Sequence, residues 1–311
     1  MNITWEGLPL EFDPHLVEEA IFAAAEAASQ SENRAFRQER DAVYEIEIAD
    51  IRESSFQQLD ARWFTRFGVA DALLGLLGEQ PLLAHRTSGG YVLFASSSRD
   101  EGADLHAPQD EPTEKGLPVL VIRLLPNTLL DRGRLSALLR HELLHVTDML
   151  DPEFGYEPVL PETSGGPMLE RLIQDRYRVL WSTTIDGRLA GRGELSLLDA
   201  ERRRQEFLTC FTMLGAEAEG YFQRLFKGPR PKHSELVSFA LEPRGSQPNQ
   251  GRLCPLCNLP ASNLHLHPRG PRIVDVIQKD FPQWKQEMGL CLQCADLYDA
   301  RAKQMLASFG G

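Results

Sequence analysis

Apolar residues at helical spacing dominate the start of this 311-residue chain. Residues 14–40 (PHLVEEAIFAAAEAASQSENRAFRQER) are rich in Ala and Glu, and their apolar positions predict one or two helices. Residues 43–51 (VYEIEIADI) alternate as a strand does but lead into a helical pattern. The period leaves this short stretch open between strand and helix.

Two runs of β-branched and apolar residues predict buried strands, at 90–98 (GYVLFASSS) and 117–125 (LPVLVIRLL). A Gly-Gly turn precedes the first run, and Pro126-Asn127 ends the second. The polar stretch between them, residues 99–116 (RDEGADLHAPQDEPTEKG), predicts a surface loop at the rim of a cleft.

Long helices are predicted after the strands. The first covers 132–150, because Asp131 can cap its start and Asp151-Pro152 stops it. A second is predicted over 167–186, begun by Pro167, and a third over about 195–226. The order of strands and helices therefore predicts an α+β fold with a helical C-terminal half.

A composition change predicts where this main domain ends. Residues 228–251 (GPRPKHSELVSFALEPRGSQPNQG) open and close with Pro, Gly and polar residues, as a linker between domains does. The expected organisation is a main domain over 1–227 with an N-terminal helical extension, a linker over 228–251, and a small module over 252–311.

Charge and composition narrow the classes of partner. The formal net charge is −12, and it divides into −15 over residues 1–227 and +3 over residues 228–311. This acidity argues against nucleic-acid binding and against an anionic membrane surface, and no apolar run reaches the ~18 residues that span a bilayer. The start (MNITWEGLPLEFDP) lacks a signal-peptide pattern, and paired cysteines suit a reducing compartment, so a cytoplasmic location is expected.

The stretch LLRHELLHVTDMLDP (138–152) carries the candidate chemistry. His141 and His145 lie one turn apart on one helix face, so both imidazoles can reach one zinc ion. Glu142, on the flank, can hydrogen-bond a zinc-bound water and accept its proton. The alternative is two unrelated histidines, but this apolar helix must be largely buried, where such groups need partners.

These residues resemble the zincin metallopeptidases over about 90–190, with no particular subfamily indicated. The resemblance implies a mixed sheet packed on an active-site helix. It implies that His141 and His145 are zinc ligands, that Glu142 is the general base, and that the substrate is a protein or peptide.

The third ligand of this zinc remains open between acidic residues. Some zincin branches take it from a later helix, which offers Asp175 and Asp186, and Asp186 is the preferred candidate because it lies among apolar residues. Asp148 is the alternative, although it can also orient a histidine. Asp151 is a weaker candidate, since it is well placed as an N-cap. Tyr177, earlier on the same helix, is a candidate for stabilising the transition state, although core packing is commoner for such a tyrosine.

Two Cys-x-x-Cys pairs near the C-terminus predict a structural zinc site closed by four thiolates: Cys254, Cys257, Cys291 and Cys294. The alternative is disulfide or redox chemistry. The layout resembles a treble-clef or zinc-ribbon finger, in which the second pair opens a helix. His265 and His267 lie between the pairs as alternative ligands, and the finger is expected to stabilise the chain or to dock a protein partner.

The function expected is that of an intracellular metallopeptidase with one catalytic and one structural zinc. One alternative is a non-catalytic zinc scaffold that binds a partner. Another is a protease similar to the SprT-like family, which cuts proteins crosslinked to DNA. The acidity and the lack of a histidine between His145 and His233 depart from that family's pattern.

Overall fold

The computed structural model describes residues 1–106, 116–161, 166–243, 253–257, 264 and 271–308. They pack as two compact units, each formed from two segments of the chain. The first unit comprises Met1–Pro158 and Val179–Leu236, and the second comprises Val159–Arg178 and Val237–Gly311. The domain limits predicted at 227 and 251 follow composition along the chain, whereas these units follow spatial contacts. Those predicted limits stay a prediction.

A five-stranded mixed sheet forms the centre of the first unit. Its strands are β1 (Asn2–Trp5), β2 (Leu8–Phe12), β3 (Gly90–Phe94), β4 (Gly102–His106) and β5 (Val119–Leu124). They lie in the order β1-β2-β3-β5-β4. Strands β2, β3 and β5 are parallel, and β1 and β4 join the two edges antiparallel.

The structure confirms the two predicted strands, as β3 and β5, and adds three that the pattern did not predict. The prediction of a surface loop over 99–116 was wrong for 102–106, which form β4. This edge strand is half-buried to exposed along its whole length, so it carries no apolar run. The hairpin β1–β2 turns at Glu6 and Gly7, whose φ angles of 47° and 81° are left-handed.

Thirteen α-helices occur in the described residues. They are α1 (Pro14–Ala27), α2 (Gln30–Tyr44), α3 (Ala49–Arg66), α4 (Asp71–Gly78), α5 (Pro81–Arg86), α6 (Pro126–Leu130), α7 (Arg132–Leu150), α8 (Gly166–Gly191), α9 (Leu197–Cys210), α10 (Ala218–Lys227), α11 (His233–Leu241), α12 (Pro271–Asp280) and α13 (Leu292–Ser308). No helix in this described part is long and apolar enough to cross a membrane.

The helix predictions are confirmed where local signals were strong. Residues 14–40 lie in α1 and α2 apart from the short connection between them. The open stretch at 43–51 contains the end of α2, a non-helical connection over 45–48 and the start of α3, and no strand. Helix α7 has both predicted ends, and the Asp131 carboxylate caps it by accepting from the backbone N–H groups of Gly133 and Arg134 at 2.9 and 3.0 Å.

The prediction of one helix over 195–226 was wrong. Helices α9 and α10 are separated by a 3₁₀ segment, Thr212–Glu217, in which Gly215 has φ 55° and ψ −130°. This break turns the chain back, so that the rings of Phe207 and Phe222 pack with centroids 5.7 Å apart. Burial of these aromatic rings therefore outweighs helical continuity.

Helix α7 is anchored by its apolar face. Leu135, Leu139, Leu143 and Val146 are fully buried in a core that also contains side chains of β3 and β5. Burying each such side chain stabilises the fold by about 1.5–3 kcal/mol, which is an upper estimate because the unfolded chain already buries part of this surface. The helix that carries the two histidines is therefore held in place over most of its length.

The half-buried carboxyl group of Asp60, between α1 and α3, predicts a pH-dependent stability. Burial, and secondarily the charge of Glu18, raise the pKa of Asp60 to about 6. Between about pH 4 and pH 6 the folded state therefore holds a proton that the unfolded state has lost, and stability falls as pH rises. We expect Asp60→Asn to raise the free energy of unfolding at pH 7 by about 1–2 kcal/mol, discounted because Asp60 is half-exposed.

Denaturant unfolding at pH 4 and pH 7 measures this effect, with the exposed Asp41→Asn as the control. A gain of equal size at both pH values would contradict the assignment to a buried carboxylate.

Candidate metal centres

The two histidines of α7 face each other through the nitrogens that bind metals. The Nε2 atoms of His141 and His145 are 3.2 Å apart. Two nitrogens bound to one tetrahedral zinc at ~2.0–2.1 Å lie about 3.3 Å from each other. The pair therefore has the separation of two zinc ligands without a change of rotamer.

Asp186 of α8 holds the other nitrogen of His141. Its Oδ1 lies 2.7 Å from His141 Nδ1, and its Oδ2 accepts from Arg203 Nε at 2.6 Å. Burial raises the pKa of Asp186, but these bonds offset it and leave the pKa below its ordinary value. A carboxylate at Nδ1 keeps the proton there and leaves the lone pair on Nε2. The predicted role of Asp186 as a ligand is untested, and the contact is that of an orienting group.

Asp148, the alternative ligand, is committed to other partners. It is fully buried, and Arg188 donates to both of its oxygens at 2.9 and 2.6 Å. Arg230 donates to it at 3.2 Å, and Trp181 Nε1 at 2.9 Å. The Trp181 ring packs edge-on against His145, with centroids 4.4 Å apart. Trp181 therefore contacts both Asp148 and His145.

Removing the charge of Asp148 should weaken the fold around His145. Asp148→Ala leaves Arg188 and Arg230 without their shared carboxylate, and losing one member of a buried ion pair costs about 3 kcal/mol. Thermal and denaturant unfolding measure the loss. Glu201→Ala, which removes an exposed ion pair with Arg204, is the control and should change stability by less than about 1 kcal/mol. Equal effects of the two variants would contradict the role given to Asp148.

Glu142 lies against the edge strand β4. A backbone hydrogen bond from Ala103 reaches its carboxylate, and a Cβ on Gly102 would lie 3.3 Å from its Oε2. Burial raises the pKa of Glu142 above its ordinary value, although His141 and the Ala103 bond lower it in part. The glycine thus leaves room for the carboxylate beside the strand, and burial makes that carboxylate a stronger base.

Ser182 of α8 is the site residue that the sequence analysis missed. Its Oγ is 3.4 Å from His145 Nε2, the nitrogen that also faces His141. Burial lowers the pKa of His145 well below its ordinary value, so the imidazole is neutral, as a metal ligand must be. Its spacing could have identified it, because Ser182 and Asp186 are four residues apart, as the two histidines are, and so lie on the same face of their helix.

The remaining candidates lie elsewhere. Asp151 forms an ion pair with Arg230 and accepts from Glu153 N at 2.9 Å. The prediction that it is an N-cap was wrong, because Asp151 ends α7 and the described residues 152–158 form a turn and no helix. Asp175 is exposed and Tyr177 is buried, and both belong to the second unit. The predicted role of Tyr177 stays a prediction.

A different tyrosine, Tyr156, lies in the first unit near these groups. Its ring is 5.5 Å from that of Trp181, and burial together with Asp104 of β4 raises its pKa. No local pattern in the sequence distinguishes this tyrosine.

The four cysteines of the second unit form a compact cluster. The Sγ atoms of Cys254, Cys257, Cys291 and Cys294 all lie within 4.8 Å of one another. The Sγ atoms of Cys257 and Cys291 are 3.8 Å apart, close to the separation of about 3.8 Å for thiolates bound to one zinc at ~2.3 Å. The cluster can therefore hold a metal ion such as zinc.

Local structure supports this cluster. The backbone N–H of Cys291 donates to Cys254 Sγ, and that of Cys294 donates to Cys291 Sγ, each at 3.4 Å. Hydrogen bonds from Cys257 and the other thiols lower the pKa of Cys254 well below its ordinary value. Helix α13 begins directly after Cys291, as the sequence predicted. His265 and His267 lie outside the described residues.

Comparison with known proteins does not assign this chain to a family. No protein-family model, curated protein or solved structure matches this chain significantly. Among the residues that the structure describes, the four cysteines are the one group of three or more potential ligands close enough to share an ion. The histidine pair therefore has to be argued from its own geometry.

Proposed function

We propose that the first unit is a zinc-dependent hydrolase that cuts peptide bonds, with Glu142 as its general base. The observation that carries the proposal is the 3.2 Å approach of the two Nε2 atoms, beside the half-buried carboxylate of Glu142 on the same helix. A hydrogen bond between two neutral imidazoles has the same separation, so zinc content is the measurement that distinguishes a metal site from a histidine–histidine bond.

The residues present fit a zinc ion at this place. His141 and His145 would hold it, and Asp186 would fix the tautomer and ring orientation of His141. A zinc ion bound there would supply a Lewis acid that polarises a carbonyl group and lowers the pKa of water. The neutral state of His145 suits this task, because only neutral imidazole binds a metal.

Glu142 is the residue that moves the proton. Its carboxylate would take a proton from the attacking water and return it to the leaving amine. Burial against β4 raises its pKa, which strengthens it as a base. The hydrogen bond from Ala103 holds the carboxylate while it does so.

Strand β4 supports a peptide as the substrate. Within the described residues it pairs with β5 alone, so its outer edge has no strand partner. An extended peptide can add to such an edge through main-chain hydrogen bonds. Glu142 lies against this strand at Gly102, so a peptide bound there would pass beside the proposed base.

The four-cysteine cluster would hold a second zinc ion with a structural role. Four thiolates complete a tetrahedral site and leave no position for catalysis. We assign this ion to the folding of the second unit and, as a further role, to docking of a protein partner.

Metal removal tests the function. Mild chelation of purified protein should abolish hydrolysis of a peptide library, retain one zinc per chain, and allow recovery on adding zinc. His145→Ala should contain one zinc and lack activity while remaining folded. Activity that survives chelation, or a zinc content that His145→Ala does not change, would overturn the proposal.

A further inference from the structure

Helix α8 presents two side chains to the histidine pair, and they face different nitrogens. Asp186 reaches His141 Nδ1 at 2.7 Å, which is the nitrogen directed away from the metal position. Ser182, one turn earlier, places its Oγ 3.4 Å from His145 Nε2, which is the nitrogen directed toward it. The carboxylate therefore lies behind the pair, and a hydroxyl lies on the ligand side.

We propose that Ser182 lies where a third protein ligand would lie but does not itself bind the metal. The metal is then held by two histidine nitrogens alone. This inference rests on the proposed function and changes its expected chemistry. A four-coordinate ion held in this way has two positions open to water and substrate, whereas catalytic zinc sites usually have three protein ligands and one open position.

The other nearby carboxylates do not take that place. Asp148 forms ion pairs with Arg188 and Arg230 and is fully buried. Asp186 is fixed between His141 and Arg203. In the part of the chain that the structure describes, the histidine pair does not belong to any group of three or more histidine, cysteine or carboxylate side chains that could hold a metal ion.

Two consequences follow for metal binding. A neutral hydroxyl is a poorer zinc ligand than a carboxylate, so affinity should be low and exchange fast. Two neutral histidines leave the full charge of a divalent ion uncompensated, which favours anionic ligands from solvent or substrate. A carboxylate introduced at Ser182 should therefore raise affinity directly.

The test measures zinc affinity by competition with a chromophoric chelator, on the full chain with its cysteine cluster already loaded. Ser182→Asp should raise the affinity at least about tenfold. Ser182→Ala should change it by less than about threefold, because the hydroxyl contributes little. Ser182→Cys is nearly isosteric and should also raise affinity, which covers the case in which the aspartate variant does not fold.

Two controls place the effect at the histidine pair. Ser182→Asp combined with His145→Ala should show no gain, because the new carboxylate then lacks its partner. Asp186→Asn should lower affinity by about 10–100-fold, as loss of an orienting group does. Cobalt substitution gives a readout independent of activity, since the visible band of the second ion should change on Ser182→Asp.

The outcomes separate the two proposals. Unchanged or lower affinity in folded Ser182→Asp and Ser182→Cys would overturn the inference but leave a histidine-dependent metal site standing. Complete loss of binding in Asp186→Asn would make Asp186 a ligand and would also overturn it. Metal binding that His141→Ala and His145→Ala both leave unchanged would overturn the proposed function itself.

Discussion

Replacing Glu142 with glutamine is expected to lower the rate of peptide hydrolysis by about 10²–10⁴-fold while zinc stays bound. The amide keeps the shape of the side chain beside Gly102 but cannot accept the proton. The measurements are kcat on a peptide substrate and the zinc content of the same preparation. Glu153→Gln makes the same chemical change on an exposed residue just after α7, and should leave both values unchanged.

Two results would change this conclusion. Unchanged activity in Glu142→Gln would leave the histidine pair as a metal site without hydrolytic chemistry. Loss of zinc along with activity would mean that Glu142 binds the metal rather than the proton.

Replacing Cys291 with serine is expected to unfold the region around the cysteine cluster. Zinc binding by small modules of this kind is worth about 10–16 kcal/mol, and it is folding free energy because no site exists in the unfolded chain. We expect zinc content to fall by one ion per chain and residues 271–308 to lose hydrogen-exchange protection. Cys210→Ser, outside the cluster, is the matched control.

Hydrolysis should partly survive in Cys291→Ser, because the histidine pair belongs to the first unit. Complete loss of activity with an intact first unit would show that the finger takes part in substrate binding. Retention of both zinc ions in a protected second unit would contradict the assignment of a four-thiolate site.

Metal-site residues separated along the chain differ in how far the sequence predicted them. The two Cys-x-x-Cys pairs predicted their own cluster, because two such pairs in one short segment are typical of a four-thiolate zinc site. His141 and His145 were predicted together because an i, i+4 spacing on a helix fixes their relative position. For Asp186, the sequence predicted proximity to the pair, but not which imidazole nitrogen it would contact.

Tertiary contacts decided the rest of the site. Ser182 faces His145, and Asp148 reaches Trp181, because the rotation of α8 about its own axis determines which of its side chains face α7. A shift of one residue in that packing would exchange the groups that face the histidines. Neither periodicity nor composition contains this rotation, since it depends on how all the buried side chains fit.

The sequence by itself determined the local elements of this protein. Helix α7 has a cap at Asp131 and a stop at Pro152, and β3 and β5 are continuous apolar runs, so short-range preferences were sufficient. The tertiary structure alone decided that 102–106 form an edge strand and that the chain breaks at Gly215. Each of these features is stabilised by residues distant in sequence, through pairing with β5 or packing of Phe207 on Phe222, and local preference does not record such partners.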